Sequence, residues 1–140
     1  MGAGTISEMK NLECITLFVE DLAASKKFYL EIFDLQIVYE DPVSAVFRLE
    51  NVMINLLKIS EAPGLIVPAK VADSSAGQRL MFTVRVPNVD EVCGKLKTLG
   101  VQLLNGPQDR PWGRRTAAFA DPAGHVWELA HEIMIQGVTL

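Results

Sequence analysis

The sequence is poor in the residues that staple small folds or carry most chemistry, with two cysteines and two histidines among 140 residues. Cys14 and Cys93 do not make a disulfide framework. A chain this long can bury roughly 68–70% of its unfolded surface, so it needs neither a disulfide nor a structural metal to fold. Cys93 fits the apolar face of a helix pattern and reads as a small core residue. No run of eighteen apolar residues exists, which excludes a membrane-spanning helix. Basic charge is also short: 13 Lys and Arg stand against 17 Asp and Glu, for a net charge of −4. The basic residues are scattered, and Arg114-Arg115 is too short for a nucleic-acid stripe. The opening MGAGTISEMKN has no charged n-region and no long apolar h-region, so no secretory signal is expected. Position 6 is Ile where myristoylation requires Ser or Thr. The expectation is a cytoplasmic protein with no membrane and no nucleic-acid partner.

What is present is a globular composition, 49% hydrophobic. CITLFVED, residues 14–21, alternates apolar side chains and reads as a strand. Asp21 is a credible N-cap for the helix LAASKKFYLEIFD, whose Leu22, Ser25, Phe28, Tyr29, Ile32 and Phe33 recur at helical spacing. LQIVYE, SAVFRLE and NVMINLLKI follow as three strands. Residues 60–78 break the pattern with Pro63, Pro68 and a Ser/Ala/Gly tail, and read as a linker. The order then restarts. LMFTVRVPN is a strand and VDEVCGKLKTLG a helix, with acids in its first turn and Gly100 at its end. VQLL, RRTAAFA and HVWELAHE are three more strands, with NGPQDRPWG as the loop between the first two.

The chain therefore reads as one domain, 1–140, built of a β-α-β-β-β module at 12–59, the linker, and a second such module at 79–133. Laying Cys14 on Met81 brings Val19 onto Val86, Asp21 onto Asn88 and Leu22 onto Val89, so the two helices start together.

ITLFVEDLAASKKFYLEIFDLQIVYE and PWGRRTAAFADPAGHVWELAHE carry a family resemblance, through the FY of the first helix and the DPAG turn before the last strand. With the repeat, the chain resembles the vicinal oxygen chelate superfamily of glyoxalases, bleomycin-resistance proteins and dioxygenases, in particular its bleomycin-resistance-like members. The resemblance implies an α+β fold in which two tandem modules form a curved, incomplete eight-stranded barrel. It leaves the chemistry open, because this fold hosts lyases, transferases, dioxygenases and drug binders.

In metal-dependent members the ligands are His, Glu or Gln on the first and last strand of each half. The matching positions here are Cys14, Asn55, Met81 and Glu128. Only Glu128 is a usual ligand. Cys14 and Met81 are soft, Asn55 and Glu128 hard, and no common divalent ion suits all four. No metal and no cofactor are expected. Along its strand Glu128 shares a face with Val126 and Ala130, whereas His125 and His131 lie on the other.

Period-two counting places Cys14, Thr16 and Phe18, then Met53, Asn55 and Leu57, then Met81, Thr83 and Arg85 around Glu128 as an apolar cup with a few polar groups. Alternatively these side chains simply fill space. Trp112 could stack on a ligand or cover the barrel or a partner subunit, and Arg85 could pair with Glu128 or with an anionic ligand. The leading expectation is a metal-free binder of a small organic molecule, drug-resistance-like and homodimeric. One alternative is a lyase, isomerase or dioxygenase with an atypical metal site; Cys14, Asn55 and Met81 disfavour lactoylglutathione-lyase and dioxygenase activity. The other is a metal-free enzyme with Glu128 as general base.

Overall fold

The computed structural model describes residues 4–135 and 138–139, in two compact units that divide between Val71 and Ala72. The first unit runs β1 (Cys14–Val19), α1 (Leu22–Glu31), β2 (Ile37–Asp41), β3 (Ser44–Arg48) and β4 (Met53–Lys58). The second runs β5 (Phe82–Arg85), α3 (Val89–Thr98), β6 (Leu103–Arg110), β7 (Arg114–Ala120) and β8 (Val126–Glu132). A short strand pair, β9 (Met134–Ile135) and β10 (Val138–Thr139), follows. The sheet orders are β1-β4-β3-β2 and β5-β8-β7-β6, the same topology twice. In each sheet the first and last strands pair in parallel and the other pairs are antiparallel. This is the expected α+β class with a repeated β-α-β-β-β module.

Local chemistry explains the helix ends. Asp21 Oδ1 accepts from the Ala24 amide at 3.0 Å, capping α1 as its sequence foretold. Asn88 does the same for α3 through the Glu91 amide at 3.0 Å, and the two helices thus begin at equivalent points. Helix α3 ends where Gly100 adopts φ +84°, with Val101 donating to the Leu96 carbonyl and Gly100 to that of Lys97. Those two bonds satisfy carbonyls that the end of a helix leaves free.

Each sheet packs one face against its helix, and on the opposite face Ser44 and Leu57 in the first unit and Thr116, Ala118 and Ala130 in the second are buried as well. In the first unit Leu17, Val19, Phe47, Ile54 and Leu56 are buried with Tyr29 of α1, whose ring lies 6.0 Å from that of Phe47. In the second, Ala117, Phe119, Trp127 and Leu129 are buried with Val89, Cys93 and Leu96 of α3. Removing this much apolar surface from water is the main stabilising term in both units. Cys93 is a core thiol as expected, and burial pushes its pKa up.

Two segments differ from the sequence reading. Residues 59–76 contain a 3₁₀ turn (Ile59–Glu61), a single helical turn α2 (Pro63–Ile66) and a second 3₁₀ turn (Ser74–Ala76). The stretch read as the loop NGPQDRPWG lies mostly inside β6, and only Pro111–Gly113 forms the turn to β7. Gly106-Pro107 lies within this stretch. The strand absorbs it as an irregularity in register, with Gly106 at φ +84° pressed against β7. A Cβ on Gly106 would stand 2.5 Å from the Thr116 carbonyl oxygen, so only glycine fits this approach.

Candidate functional site

Glu128 owes its position to the turn before it. Asp121 is buried and its Oδ1 accepts from the amides of Ala123 at 3.0 Å and His125 at 2.9 Å. Gly124, at φ +95°, closes the turn with a bond to the Asp121 carbonyl. The DPAG sequence thus sets the start of β8 by satisfying the turn's amides locally. From there alternation fixes the faces. Trp127 goes to the core side, against Phe82 with ring centroids 4.9 Å apart. His131 also goes there, its Nδ1 accepting from the Val89 amide at 2.8 Å. Glu128 takes the opposite face, as period-two counting had it.

On that face Glu128 has a defined partner. Parallel pairing of β5 with β8 sets Thr83 beside it, and the Thr83 hydroxyl donates to Glu128 Oε1 at 2.9 Å. The first unit repeats the arrangement. Parallel pairing of β1 with β4 sets Thr16 beside Asn55, and the Asn55 amide donates to Thr16 Oγ1 at 3.4 Å. Asn55 Oδ1 is buried and has no hydrogen-bond partner. Rotating the amide would exchange the two atoms, but one polar end of Asn55 would still be buried and unpaired.

The other expected site residues fall on these two faces as follows. Cys14 lies opposite Met53, and Phe18 opposite Leu57. Both rows flank the Thr16–Asn55 row on the face away from α1, since Ile15, Leu17 and Val19 point the other way by alternation. Met81 precedes β5 and is exposed. Arg85 pairs with Glu132, not with Glu128. Trp112 sits in the β6–β7 turn, 54% exposed, with the Arg110 guanidinium 5.8 Å from its ring.

Counting only the parallel strands missed half of each face. In the first unit the register adds Tyr39 and Val46 to the Asn55 row, and Asp41 and Ser44 to the Leu57 row. The Val43 amide, the Ser44 hydroxyl and the Tyr39 hydroxyl all donate to Asp41 and hold its pKa below the usual carboxylate range. In the second unit β7 and β6 extend three rows: Thr83, Glu128, Ala118 and Asn105; Arg85, Ala130, Thr116 and Gln108; Glu132, Arg114 and Arg110. Arg114 reaches Glu132 Oε1 at 3.5 Å, and Arg110 Nε donates to Thr116 Oγ1 at 2.9 Å. Arg115 turns to the helix side and bridges Asp90 at 2.7 Å and Asp109 at 2.9 Å. It draws the Asp90 pKa down. Among the described residues, an open depression of about 440 Å³ lies between α3 and β6, and another of about 590 Å³ beside Asn11–Glu13 and Arg48–Met53 reaches Met53 of the first unit's face.

Each unit is one β-α-β-β-β module whose first and last strands pair in parallel, setting Thr16 beside Asn55 and Thr83 beside Glu128. Residues 11–129 match the family model of the Glyoxalase/Bleomycin resistance protein/Dioxygenase superfamily, and the chain belongs to it. A glyoxalase/bleomycin resistance protein/dioxygenase from Nocardioides is 24% identical, with a TM-score of 0.82 over 97% of this chain and 90% of that one. TnmS3, an antibiotic binding protein from Streptomyces sp. CB03234, is 23% identical, with a TM-score of 0.68 over 91% and 99% of the two chains. A lactoylglutathione lyase from Agrobacterium tumefaciens is 22% identical, with a TM-score of 0.69 over 85% and 91%. These likenesses establish the fold.

The four positions at which metal-dependent members carry ligands do not fit a divalent metal. In the first unit Cys14 and Asn55 offer one thiol and one neutral amide. In the second, Met81 offers an exposed thioether and Glu128 a single carboxylate. Among the described residues, no three His, Cys, Asp or Glu side chains gather as a metal's ligands would. The mismatch is one of donor chemistry: a thioether and an amide are poor partners for zinc, and the set has too few oxygens for magnesium or calcium.

Proposed function

We propose that this chain binds a small organic molecule without a metal, on sheet faces turned away from the helices. Glu128 is the main polar contact of the second unit, accepting from a cationic or hydrogen-bond-donating group of the ligand. The observation that carries this reading is the Thr83–Glu128 pair. One carboxylate oxygen is held by a hydroxyl, which orients the other toward the face without neutralising the charge. Asn55, in the equivalent register of the first unit, brings a buried polar atom with no protein partner. Cys14, Phe18 and Met53 supply apolar and adaptable surface beside it, over the buried Leu57. The antibiotic-binding neighbour supports the ligand class as a small molecule. No helix among the described residues is long and apolar enough to cross a membrane. In this proposal the chain works in the cytoplasm as a homodimer.

Metal analysis of the untagged protein after chelator treatment tests the metal-free part. Less than one-tenth of an equivalent of zinc, nickel, iron or manganese is the expected result. One retained equivalent would replace binding with an atypical metal centre.

A further inference from the structure

Arg110 and Arg114 are directly opposite each other across the β6–β7 pair, flanking the turn that carries Trp112. Like charges at directly opposed positions repel. Among the described residues one carboxylate answers them: Glu132, which Arg114 shares with Arg85 through the same oxygen, Oε1. Arg110 has no carboxylate partner among the described residues. Its bonds go to the Thr116 hydroxyl and, at 3.3 Å, to Asn105 Oδ1, and its cation faces the Trp112 ring. Three guanidinium groups therefore crowd one end of the face against a single acid. The centre of the row beneath them is closed, with Thr116 1% exposed and Ala130 fully buried, while Arg85 and Gln108 at its ends are exposed. Trp112, by contrast, leaves more than half of its surface open at 54%.

We propose that this end of the face binds the carboxylate of an aromatic acid, with Arg110 and Arg114 on the anion and the aromatic ring against Trp112. A planar guanidinium fork matches a carboxylate with two parallel hydrogen bonds, and a bound anion between the arginines removes their repulsion. The half-exposed Trp112 ring supplies a stacking surface for a flat ring. Glu128 lies four residues along β8 from Glu132, roughly 13 Å at ~3.3 Å per residue. The ligand of this face would then carry a donor toward Glu128 and an acid toward Arg110. This inference rests on the reading of the face as the binding surface.

NMR titration of the full chain with benzoate, benzamide and inorganic phosphate tests it. Benzoate should shift the Trp112 indole N–H and the Arg110 and Arg114 Nε–H signals, and benzamide at equal concentration should not. Arg110→Gln and Arg114→Gln should each weaken benzoate by about tenfold or more while the remaining spectrum stays folded. Benzoate carries no donor for Glu128 and reads only the arginine end, whereas the Glu128 proposal is read by cationic or neutral donor compounds, so failure here is distinguishable from failure of that proposal. Benzoate binding that persists in both arginine variants would overturn the inference. So would benzamide binding as well as benzoate, or phosphate producing the same shifts at the same concentration.

Discussion

Thr83 and Glu128 are 45 residues apart in sequence and hydrogen-bonded side by side in the sheet, at 2.9 Å. The pair gives a first prediction. Thr83→Val removes the donor and leaves the carboxylate without it, at a cost of about 1 kcal/mol of unfolding free energy. Glu128→Gln keeps an oxygen acceptor for Thr83 and should stay within about 0.5 kcal/mol of wild type. Urea midpoints of the two variants check the order. Equal losses in both would mean that the pair is not formed in solution.

How much of this was legible in the sequence depends on the range of the contact. Asp21 as a cap, Cys93 as core and Glu128 opposite His131 follow from the chain's own periodicity, and local rules suffice. The Thr83–Glu128 partnership needs the parallel register of two strands separated by a helix and two other strands, which no local pattern encodes. The opposition of Arg110 and Arg114 was hidden for another reason. Gly106-Pro107 looks like a loop signal, so the strand that carries Arg110 was read as loop. Extending the alternation of RRTAAFA to its partner strand would have found Arg110.

The same segment gives the second prediction. Gly106→Ala must fit a Cβ 2.5 Å from a backbone oxygen at φ +84°. It should destabilise the protein by about 2 kcal/mol or more, by strain and overpacking together. Chemical denaturation measures it. A loss below 0.5 kcal/mol, roughly that of an ordinary surface change, would show that β6 does not press on β7 there.

A pH prediction follows from Asp90. Its pKa is lowered, chiefly by hydrogen bonds from Arg115. A depressed folded pKa gives stability that is present above the unfolded value of about 3.9 and is lost as pH falls through the folded value. Wild type should therefore exceed Asp90→Asn in melting temperature at pH 6, and the gap should close as the pH is lowered past 3.9. A gap that persists at the lowest pH would assign the loss to something other than the charge.

Self-association is the fourth prediction. Leu65 at 68% and Val67 at 73% exposure lie near each other in sequence, where a second subunit would remove apolar surface from water. Light scattering should give the mass of a dimer. A monomer mass across a hundredfold range of concentration would reject the homodimer.

The central claim is metal-free binding through Glu128, and one experiment addresses it most directly. Wild type and Glu128→Gln are melted in excess chelator against one panel of small organic molecules that includes cations and neutral donors. The account predicts that some cationic or donor compounds raise the wild-type melting temperature in chelator, and that the same compounds raise that of Glu128→Gln far less. Stabilisation that appears only when a divalent ion is added, or identical responses from the two proteins, would contradict it.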